Sequence, residues 1–187
     1  MSVREAVAGD VVLAAGFDAF TRHGFTRTTM ADIAERAGMS RPALYLRVRN
    51  KEEVLRAVGA ALLADSLERA RSAADGHAEP AARAMAVLEA KLGLTLGLAE
   101  RSEHAVELLA HYARVAREDS SSYTEEIERL TAAALRSGGA EPQRCADLAA
   151  ALVRAVQGLE RDLEDAARAR HLLHVLVEAS TLGLSRQ

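Results

Sequence analysis

Basic side chains gather between residues 36 and 51, and their type and spacing suit one particular chemistry. The cations there are Arg36, Arg41, Arg47, Arg49 and Lys51, with no acid among them. Guanidinium and ammonium groups pair with phosphate oxygens, and the fork of an arginine also matches the acceptor edge of guanine. The first 51 residues hold eight basic and five acidic residues, whereas the remainder holds sixteen basic and twenty-two acidic residues. An acidic chain therefore keeps one basic patch, as binding to nucleic-acid phosphates requires.

Two short helices joined by a glycine turn are predicted to carry this patch. A first helix is indicated by apolar residues spaced three and four apart, Met30, Ile33, Ala34 and Ala37. Thr29 can cap its start, and Asp32 suits the positive end of the helix. Gly38 follows the last apolar residue, where a left-handed backbone favours glycine. Ser40 then caps a second helix, with Pro42 in its first turn. This arrangement is typical of a helix-turn-helix.

A helical hairpin with a solvated basic face is the alternative interpretation of this region. However, the sequence from about Val12 to Leu55 resembles the TetR family of bacterial transcriptional repressors. The resemblance lies in VLAAGFDAF, HGFTRTTMADIAERAGMS, ALY and RNKEEVL, taken in that order. The segment RPALYLRVRNK is similar to the subgroup with proline in the recognition helix. It departs from the commonest pattern at Leu46, Arg47 and Val48, where aromatic residues and histidine are frequent.

The resemblance implies an all-α fold with a three-helix DNA-binding domain and a helical ligand-binding and dimerisation domain. It also implies a homodimer that binds a palindromic operator in double-stranded DNA. The two recognition helices would then reach successive major-groove faces. A small-molecule effector, whose identity the sequence does not give, would bind the larger domain and release the DNA.

Side chains of the second helix are predicted to read bases. Arg41 is the best candidate, because its guanidinium matches guanine. Pro42, Ala43 and Leu46 are predicted to meet thymine methyl groups or to shape the approach to the groove. Arg47 is predicted either to read bases or to hold a phosphate.

Thr29, Tyr45 and Lys51 are predicted to hold phosphates and to set the register on DNA. Lys51 stands at the start of a long helix after Asn50, where a cation opposes the positive end of the helix. We therefore expect an outside partner for it, and a DNA phosphate is the one that the resemblance implies. The alternative for Tyr45 is an aromatic residue at the edge of the core.

The composition favours helices throughout the chain, because alanine and leucine dominate and only three prolines occur in 187 residues. About nine helices are predicted, three in a DNA-binding domain over residues 1–51 and six over residues 52–187. Residues 1–9 are predicted to be a loosely ordered arm. The predicted helices are those around the turn and also 10–23, 50–72, one opened by Pro80, 102–117, one capped by Ser122 with Glu125, one opened by Pro142, and 166–184.

The single cysteine, Cys145, excludes an internal disulfide and fits a reducing compartment. An inert buried thiol is favoured there over a redox switch. No apolar run reaches the roughly 18 residues of a membrane span. We therefore expect a cytoplasmic, nucleoid-associated bacterial protein with no membrane partner.

Polar residues of the 102–117 helix are the candidates for orienting an effector, joined by two residues of a later helix: His104, Glu107, His111, Tyr112, Arg154 and Gln157. The alternative is that they are ordinary surface or interface residues. His104, Glu107 and His111 also have helical spacing for a metal, but cysteine ligands are lacking and no metal or cofactor is predicted.

The resemblance implies that the last two helices form the dimer interface, and the final helix is apolar on more than one side, which indicates that more than its own domain buries it. The candidate interface residues are Leu152, Val156, Leu172, Val175, Leu176 and Ala179.

Two rival functions remain beside a ligand-responsive repressor. One is a DNA-binding regulator of the same fold without a small-molecule ligand, controlled by a protein partner or by its abundance. The other is a helical enzyme. The sequence argues against it, because it contains neither a glycine-rich phosphate loop nor a nucleophile elbow. We therefore predict no catalytic residues.

Overall fold

The computed structural model describes residues 3–76, 79–161 and 165–181. Those ranges contain nine α-helices, one short 3-10 helix over Glu5–Val7 and no strand. The predicted all-α class is therefore confirmed.

Four helices build the part of the chain that carries the basic patch: α1 (Val11–Arg27), α2 (Met30–Arg36), α3 (Arg41–Tyr45) and α4 (Lys51–Asp75). The other five follow as α5 (Pro80–Ala99), α6 (Ala105–Val115), α7 (Arg117–Arg136), α8 (Pro142–Leu159) and α9 (Ala166–Thr181).

The described residues divide into two compact units. The first draws on residues 1–65 and 97–120, and the second on residues 66–96 and 121–187. Helix α6 thus belongs to the same unit as the predicted helix-turn-helix. The predicted functional division after residue 51 stays a prediction.

The first unit is held together by apolar side chains from α1, α2, α3 and α4. Phe20, Ile33, Leu44 and Val54 are all fully buried there. Helices α1 and α4 approach closely at Gly16, where an added Cβ would overlap Val54. Close packing of this kind fixes the direction of the helix-turn-helix.

Side-chain caps define the starts of α1 and α4. Asp10 caps α1 by accepting hydrogen bonds from the N–H groups of Val12 and Leu13 at 2.8 and 3.2 Å. Asn50 Oδ1 accepts from the Glu53 N–H at 2.8 Å, which starts α4. Glycine, proline and side-chain caps act locally, and for this reason the sequence reveals them.

The N-terminal arm is more ordered than predicted. Val3 and Val7 are buried, and a Cβ on Gly97 would touch Val3. Arg4 forms a two-pronged ion pair with Asp18, with Nε at 3.1 Å and Nη2 at 2.9 Å from its oxygens. The expectation of a loose arm was wrong over residues 3–9, because it overlooked two apolar anchors.

The break between α6 and α7 differs from the prediction. Helix α6 ends at Val115 and α7 begins at Arg117, so Ser122 lies inside α7 and does not cap it. The break rests on Ala116, whose backbone leaves the helical region at φ −134° and ψ 48°. Neither glycine nor proline marks this point, and the predicted cap at Ser122 was therefore wrong.

The second unit has its own apolar core. Leu88, Leu92 and Leu96 of α5 are buried there, and Cys145 of α8 is buried in the same unit. The predicted break between α8 and α9 is present, although residues 162–164 within it lie outside the described residues.

Candidate DNA-binding surface

The turn between α2 and α3 is a Schellman motif built on Gly38. Gly38 has φ +65°, the left-handed backbone that glycine adopts without steric cost. The Met39 N–H donates to the Ala34 carbonyl at 2.9 Å, and the Gly38 N–H donates to the Glu35 carbonyl at 3.1 Å. These bonds satisfy the last carbonyls of α2 and turn the chain into α3.

Both helices of the motif have side-chain caps. Thr29 and Asp32 form a reciprocal capping box on α2, with the Thr29 N–H 2.8 Å from Asp32 Oδ2. That N–H, followed by the Thr29 hydroxyl, lowers the pKa of Asp32. Ser40 accepts from the Ala43 N–H at 3.3 Å and caps α3. The predicted caps of both helices of the helix-turn-helix are therefore present.

Helix α3 turns most of its predicted base-reading residues to solvent. Leu44 is fully buried and anchors the helix, whereas Tyr45 is 54% and Leu46 90% exposed. Arg41 and Pro42 are also exposed, and Ala43 is half-buried. Among the described residues, the Arg41 guanidinium has no hydrogen-bond or ion-pair partner. An exposed leucine at the end of α3 and an unpaired arginine at its start leave this helix available to a partner.

Two other cations of the basic patch have partners inside the first unit. Arg47 pairs with Asp10 at 2.8 Å, although both side chains remain well exposed. Burial of the Asp10 carboxylate raises its pKa. The N–H groups of Leu13 and Val12 and the charge of Arg47 outweigh burial, so the pKa of Asp10 is lowered overall. Arg36 lies 2.8 Å from Nε2 of His23. Exposed ion pairs contribute little to stability, so the Arg47–Asp10 pair can yield to a phosphate at low cost.

Lys51 has partners inside the protein, whereas its unfavourable position at the start of α4 led us to expect a DNA phosphate as its partner. Its ammonium donates to the carbonyl oxygens of Phe25, Thr26 and Thr28 at 2.8, 3.1 and 3.0 Å. It also lies 4.5 Å from the centre of the Phe25 ring. The partner that a cation at the start of α4 requires is thus internal. All three ammonium donors are used, and the phosphate contact stays a prediction without that support.

The backbone held by Lys51 is also held by helix α6. Glu107 Oε1 accepts from the Thr26 N–H at 2.9 Å and from the Thr26 hydroxyl at 2.7 Å. The Thr26 hydroxyl and then the Thr26 N–H lower the pKa of Glu107. Gly24, at φ +73°, lets the chain turn here, and a Cβ on it would overlap Glu107. The segment 24–28 at the end of α1 is therefore clamped between α4 and α6.

The predicted effector residues of the 102–117 helix take part in this clamp. His111 stacks on Phe25 with ring centres 4.4 Å apart. His104, at the N-cap position of α6, lies 3.4 Å from the Arg27 guanidinium. The Tyr112 ring meets α4 at Gly59, and its hydroxyl is buried without a hydrogen-bond partner among the described residues. Burial is the main cause that raises the pKa of Tyr112 to about 12.

The other two predicted effector residues, Arg154 and Gln157, lie on α8 in the second unit. Arg154 is exposed and Gln157 is half-buried. Neither lines either of two cavities, of about 200 and 360 Å³, that the described residues of this unit form. A role for all six residues in binding an effector stays a prediction.

The predicted interface residues divide into two groups. Leu152 and Val156 are 3% and 0% exposed within their own unit, so their burial needs no second chain. The apolar stripe that selected them serves a core as well as a seam, and their place in an interface stays a prediction without that support. On α9, by contrast, Val175 and Leu176 are 47% and 37% exposed. Ala179 is exposed and Leu172 is half-buried.

The contacts of two residues near this surface escaped the sequence analysis. Asp10 was treated only as the first residue of a helix, and Glu107 was assigned to a ligand rather than to Thr26. The Glu107–Thr26 contact joins residues 81 positions apart. No local pattern in the sequence reports a pair at that distance.

Comparison with known proteins agrees with this geometry. Residues 12–58 match the family model described as bacterial regulatory proteins of the tetR family. The HTH-type transcriptional regulator TtgR of Pseudomonas putida is 45% identical over 47 residues, which make up 25% of this chain and 22% of that protein. The matched stretch therefore spans about a fifth of this curated relative.

The fold is shared over nearly the whole chain. A transcriptional regulator from Rhodococcus sp. Rha1 superposes with a TM-score of 0.75 at 20% identity, covering 96% of this chain and 99% of that one. A TetR-like transcriptional regulator from Rhodococcus sp. RHA1 gives a TM-score of 0.61 at 26% identity, covering 92% and 94%. FadR from Bacillus subtilis, solved with stearoyl-CoA, gives 0.60 at 16% identity, covering 89% and 96%.

A helix-turn-helix followed by a helical unit defines the class of one-chain bacterial regulators with an N-terminal DNA-binding domain. Within that class, residues 12–58 resemble the TetR family, whose model they match, and the whole chain shares its fold with the solved regulators named above. Proteins of this family are DNA-binding regulators and not enzymes. No helix in the described ranges is long and apolar enough to cross a membrane.

Proposed function

We propose that this protein is a ligand-responsive transcriptional repressor that binds a palindromic operator as a homodimer. The observation that carries the proposal is the outward face of α3. Leu46 is 90% exposed there, and the Arg41 guanidinium has no partner among the described residues. An exposed apolar side chain and an unpaired arginine on one short helix suit the major groove, which presents thymine methyl groups and guanine acceptors.

Dimer formation is supported by α9. Val175 and Leu176 expose apolar surface on a helix whose inner face is already packed by Leu173 and Val177. A two-fold axis through such a stripe makes an isologous interface. Two copies of α3 would then meet half-sites one helical turn apart, about 34–36 Å, which requires a palindromic site.

Release by an effector would act through the clamped segment 24–28. DNA and effector would favour different positions of α4 and α6, and each would weaken the binding of the other. Because Lys51 of α4 and Glu107 of α6 both bind Thr26, a movement of either helix would shift the end of α1 and the helix-turn-helix packed on it. The stearoyl-CoA complex of FadR supports the idea that this fold can hold a small molecule.

The alternative is a DNA-binding regulator without a small-molecule ligand, controlled by a protein partner or by its abundance. The low aromatic content of 3% disfavours a pocket built on ring stacking and keeps this alternative open. In both cases we propose a cytoplasmic protein that associates with the nucleoid.

Selection of bound fragments from the source genome, followed by footprinting, tests the proposal. We expect a protected palindrome with two half-sites about one helical turn apart. A thermal-shift screen with small molecules, repeated with operator DNA present, then separates a ligand-responsive repressor from the alternative. Weak, salt-sensitive binding without sequence preference would contradict both.

A further inference from the structure

A buried polar cluster lies in the second unit, which contains none of the residues assigned to DNA. Its centre is Lys91 of α5, whose Nζ lies 3.0 and 2.9 Å from Oε1 and Oε2 of Glu160. The two side chains are only 6% and 16% exposed. The hydroxyl of Thr95, one turn further along α5, donates to Glu160 Oε1 at 3.1 Å. One carboxylate thus receives three hydrogen bonds from a single face of α5.

Two more hydroxyl groups border this cluster. The Lys91 ammonium lies 5.6 Å from the centre of the Tyr123 ring. The Ser66 hydroxyl donates to the Ala90 carbonyl at 3.1 Å, so the Tyr123 hydroxyl, 2.8 Å away, donates to Ser66. Burial raises the pKa of Tyr123 to about 12, so this ring keeps its proton and adds no negative charge. Among the described residues, the anionic partner of Lys91 is Glu160.

Stability alone does not account for this pair. A buried ion pair is often no more stabilising than apolar residues of the same volume, whereas one left without its partner is costly. The second unit is otherwise built on apolar side chains such as Leu92, Leu96 and Ile127. A few convergent polar groups within an apolar setting are typical of small-molecule sites.

The position of Glu160 would allow its side chain to move away from Lys91 while its backbone stays in place. It occupies the C-cap of α8, directly after Leu159, where the negative end of a helix disfavours a carboxylate. Its backbone is fixed by an N–H bond to the Val156 carbonyl at 2.9 Å. Rotation of the side chain alone would therefore uncover Lys91, and α8 would remain folded.

We propose that Lys91 and Thr95 recognise the carboxylate group of a small-molecule effector, and that Glu160 occupies their site while the effector is absent. This inference rests on the effector-responsive function proposed above. An incoming carboxylate takes the two bonds from Lys91 and the bond from Thr95. Glu160 then turns towards solvent, and the junction between α8 and α9 loses its tie to α5.

Titration calorimetry with sodium acetate, hexanoate and benzoate tests this inference on the full chain. Ethanol, hexan-1-ol and benzyl alcohol serve as neutral controls of similar shape. We expect saturable binding of at least one acid to the wild type, and binding about tenfold tighter or more to Glu160→Ala, because the internal competitor is gone. Lys91→Met should abolish binding.

The double variant Lys91→Met with Glu160→Gln keeps the cluster neutral and serves as a folded control that also should not bind. If Glu160→Ala does not fold, Glu160→Gln takes its place with a smaller gain in affinity. Binding by Glu160→Ala but not by the wild type would overturn the inference, since the acid would merely fill an engineered cavity. Binding by neither, or equal binding of the alcohols, would overturn it as well.

Operator binding in the same samples separates this inference from the proposed function. A wild type that binds a palindromic DNA but no carboxylate keeps the regulatory function and loses the effector class. A wild type that binds a carboxylate but no specific DNA keeps the site and loses the repressor function.

Discussion

The Lys51 ammonium holds Phe25 in two ways, because it lies 2.8 Å from the carbonyl oxygen of that residue and 4.5 Å from the centre of its ring. The start of α4 is thereby fastened to the end of α1. A positive charge near the last carbonyls of a helix complements the helix dipole, so the interaction offsets the unfavourable position of the lysine at the start of α4.

Replacement of Lys51 by methionine should lower the free energy of unfolding by about 1.5–3 kcal/mol, since the hydrogen bonds that disappear involve a charged donor. Urea denaturation measures this change. If the three internal bonds persist on DNA, the slope of log K against log salt concentration for operator DNA should stay the same, because the ammonium then has no donor left for a phosphate.

Arg49→Ala is the matched control for Lys51, because it removes an exposed cation of the same patch. It should leave stability within about 0.5 kcal/mol of the wild type, as exposed substitutions usually do. If the slope of log K against log salt concentration were shallower for Lys51→Met, by about 0.9 for each phosphate no longer neutralised, Lys51 would contact a DNA phosphate after all.

Replacement of Arg41 by alanine should relax sequence preference. Loss of a two-pronged hydrogen bond to guanine costs about 1–3 kcal/mol at one base pair and little elsewhere. Competition titrations with operator and random DNA measure the two affinities separately. Equal losses on both duplexes would move Arg41 from reading bases to binding phosphates.

The helix-turn-helix was predictable from the sequence because its signals are local. Thr29, Gly38 and Ser40 each act within a few residues, and each was found in its predicted role. The exposure of Leu46 also followed from its position in the predicted motif.

The rest of the site was less predictable because it depends on contacts between distant residues. Lys51 carries an unfavourable charge that the sequence reveals, but its partners lie on a helix end about 25 positions away. Leu152 fits a core and a dimer seam equally well by periodicity. Ala116 breaks a helix although alanine favours one.

The contact between Glu107 and Thr26 should make stability depend on pH. The pKa of Glu107 is lowered by the Thr26 hydroxyl and then by its N–H. Its contribution is therefore fully present above the unfolded pKa of about 4.3 and is lost as pH falls through the folded value. We expect Glu107→Gln to melt below the wild type at neutral pH and the difference to shrink below about pH 4.

Glu103→Gln provides the control for this prediction, since the Glu103 side chain is 85% exposed. It should leave the melting temperature nearly unchanged at every pH. If the deficit of Glu107→Gln were constant from neutral to acid pH, the carboxylate charge would have no part in the clamp.

Two glycines in helices should respond to alanine with opposite signs. A Cβ on Gly59 would overlap the Tyr112 ring, whereas a Cβ on Gly93 would meet no atom within 4 Å. Gly59→Ala should therefore destabilise the protein by about 1–3 kcal/mol through overpacking. Gly93→Ala should stabilise it by up to about 1 kcal/mol through helix propensity.

Thermal denaturation of a double-mutant cycle checks the cause. In a Tyr112→Ala background the penalty of Gly59→Ala should largely disappear, because the overlapping ring is gone. A penalty of the same size in that background would locate the strain elsewhere.

Four residues of α9 form one accessible stripe beside its buried face: Leu172, Val175, Leu176 and Ala179. Their spacing of three and four residues places them together along the helix. Leu173 and Val177 pack inwards and are at most 1% exposed. The stripe is thus independent of the core of its own unit, unlike Leu152 and Val156 on α8.

The double variant Val175→Glu with Leu176→Glu should abolish dimer formation, because two buried and unpaired carboxylates would face their own copies across a two-fold seam. Sedimentation velocity should show a monomer, and affinity for the palindrome should fall towards that of a half-site. Ala167→Glu, exposed on the same helix but outside the stripe, should remain a dimer. Leu152→Ala should lower the free energy of unfolding by about 2–5 kcal/mol through a core cavity, with the dimer retained. A monomeric wild type, or a dimer that survives both glutamates, would place the interface elsewhere.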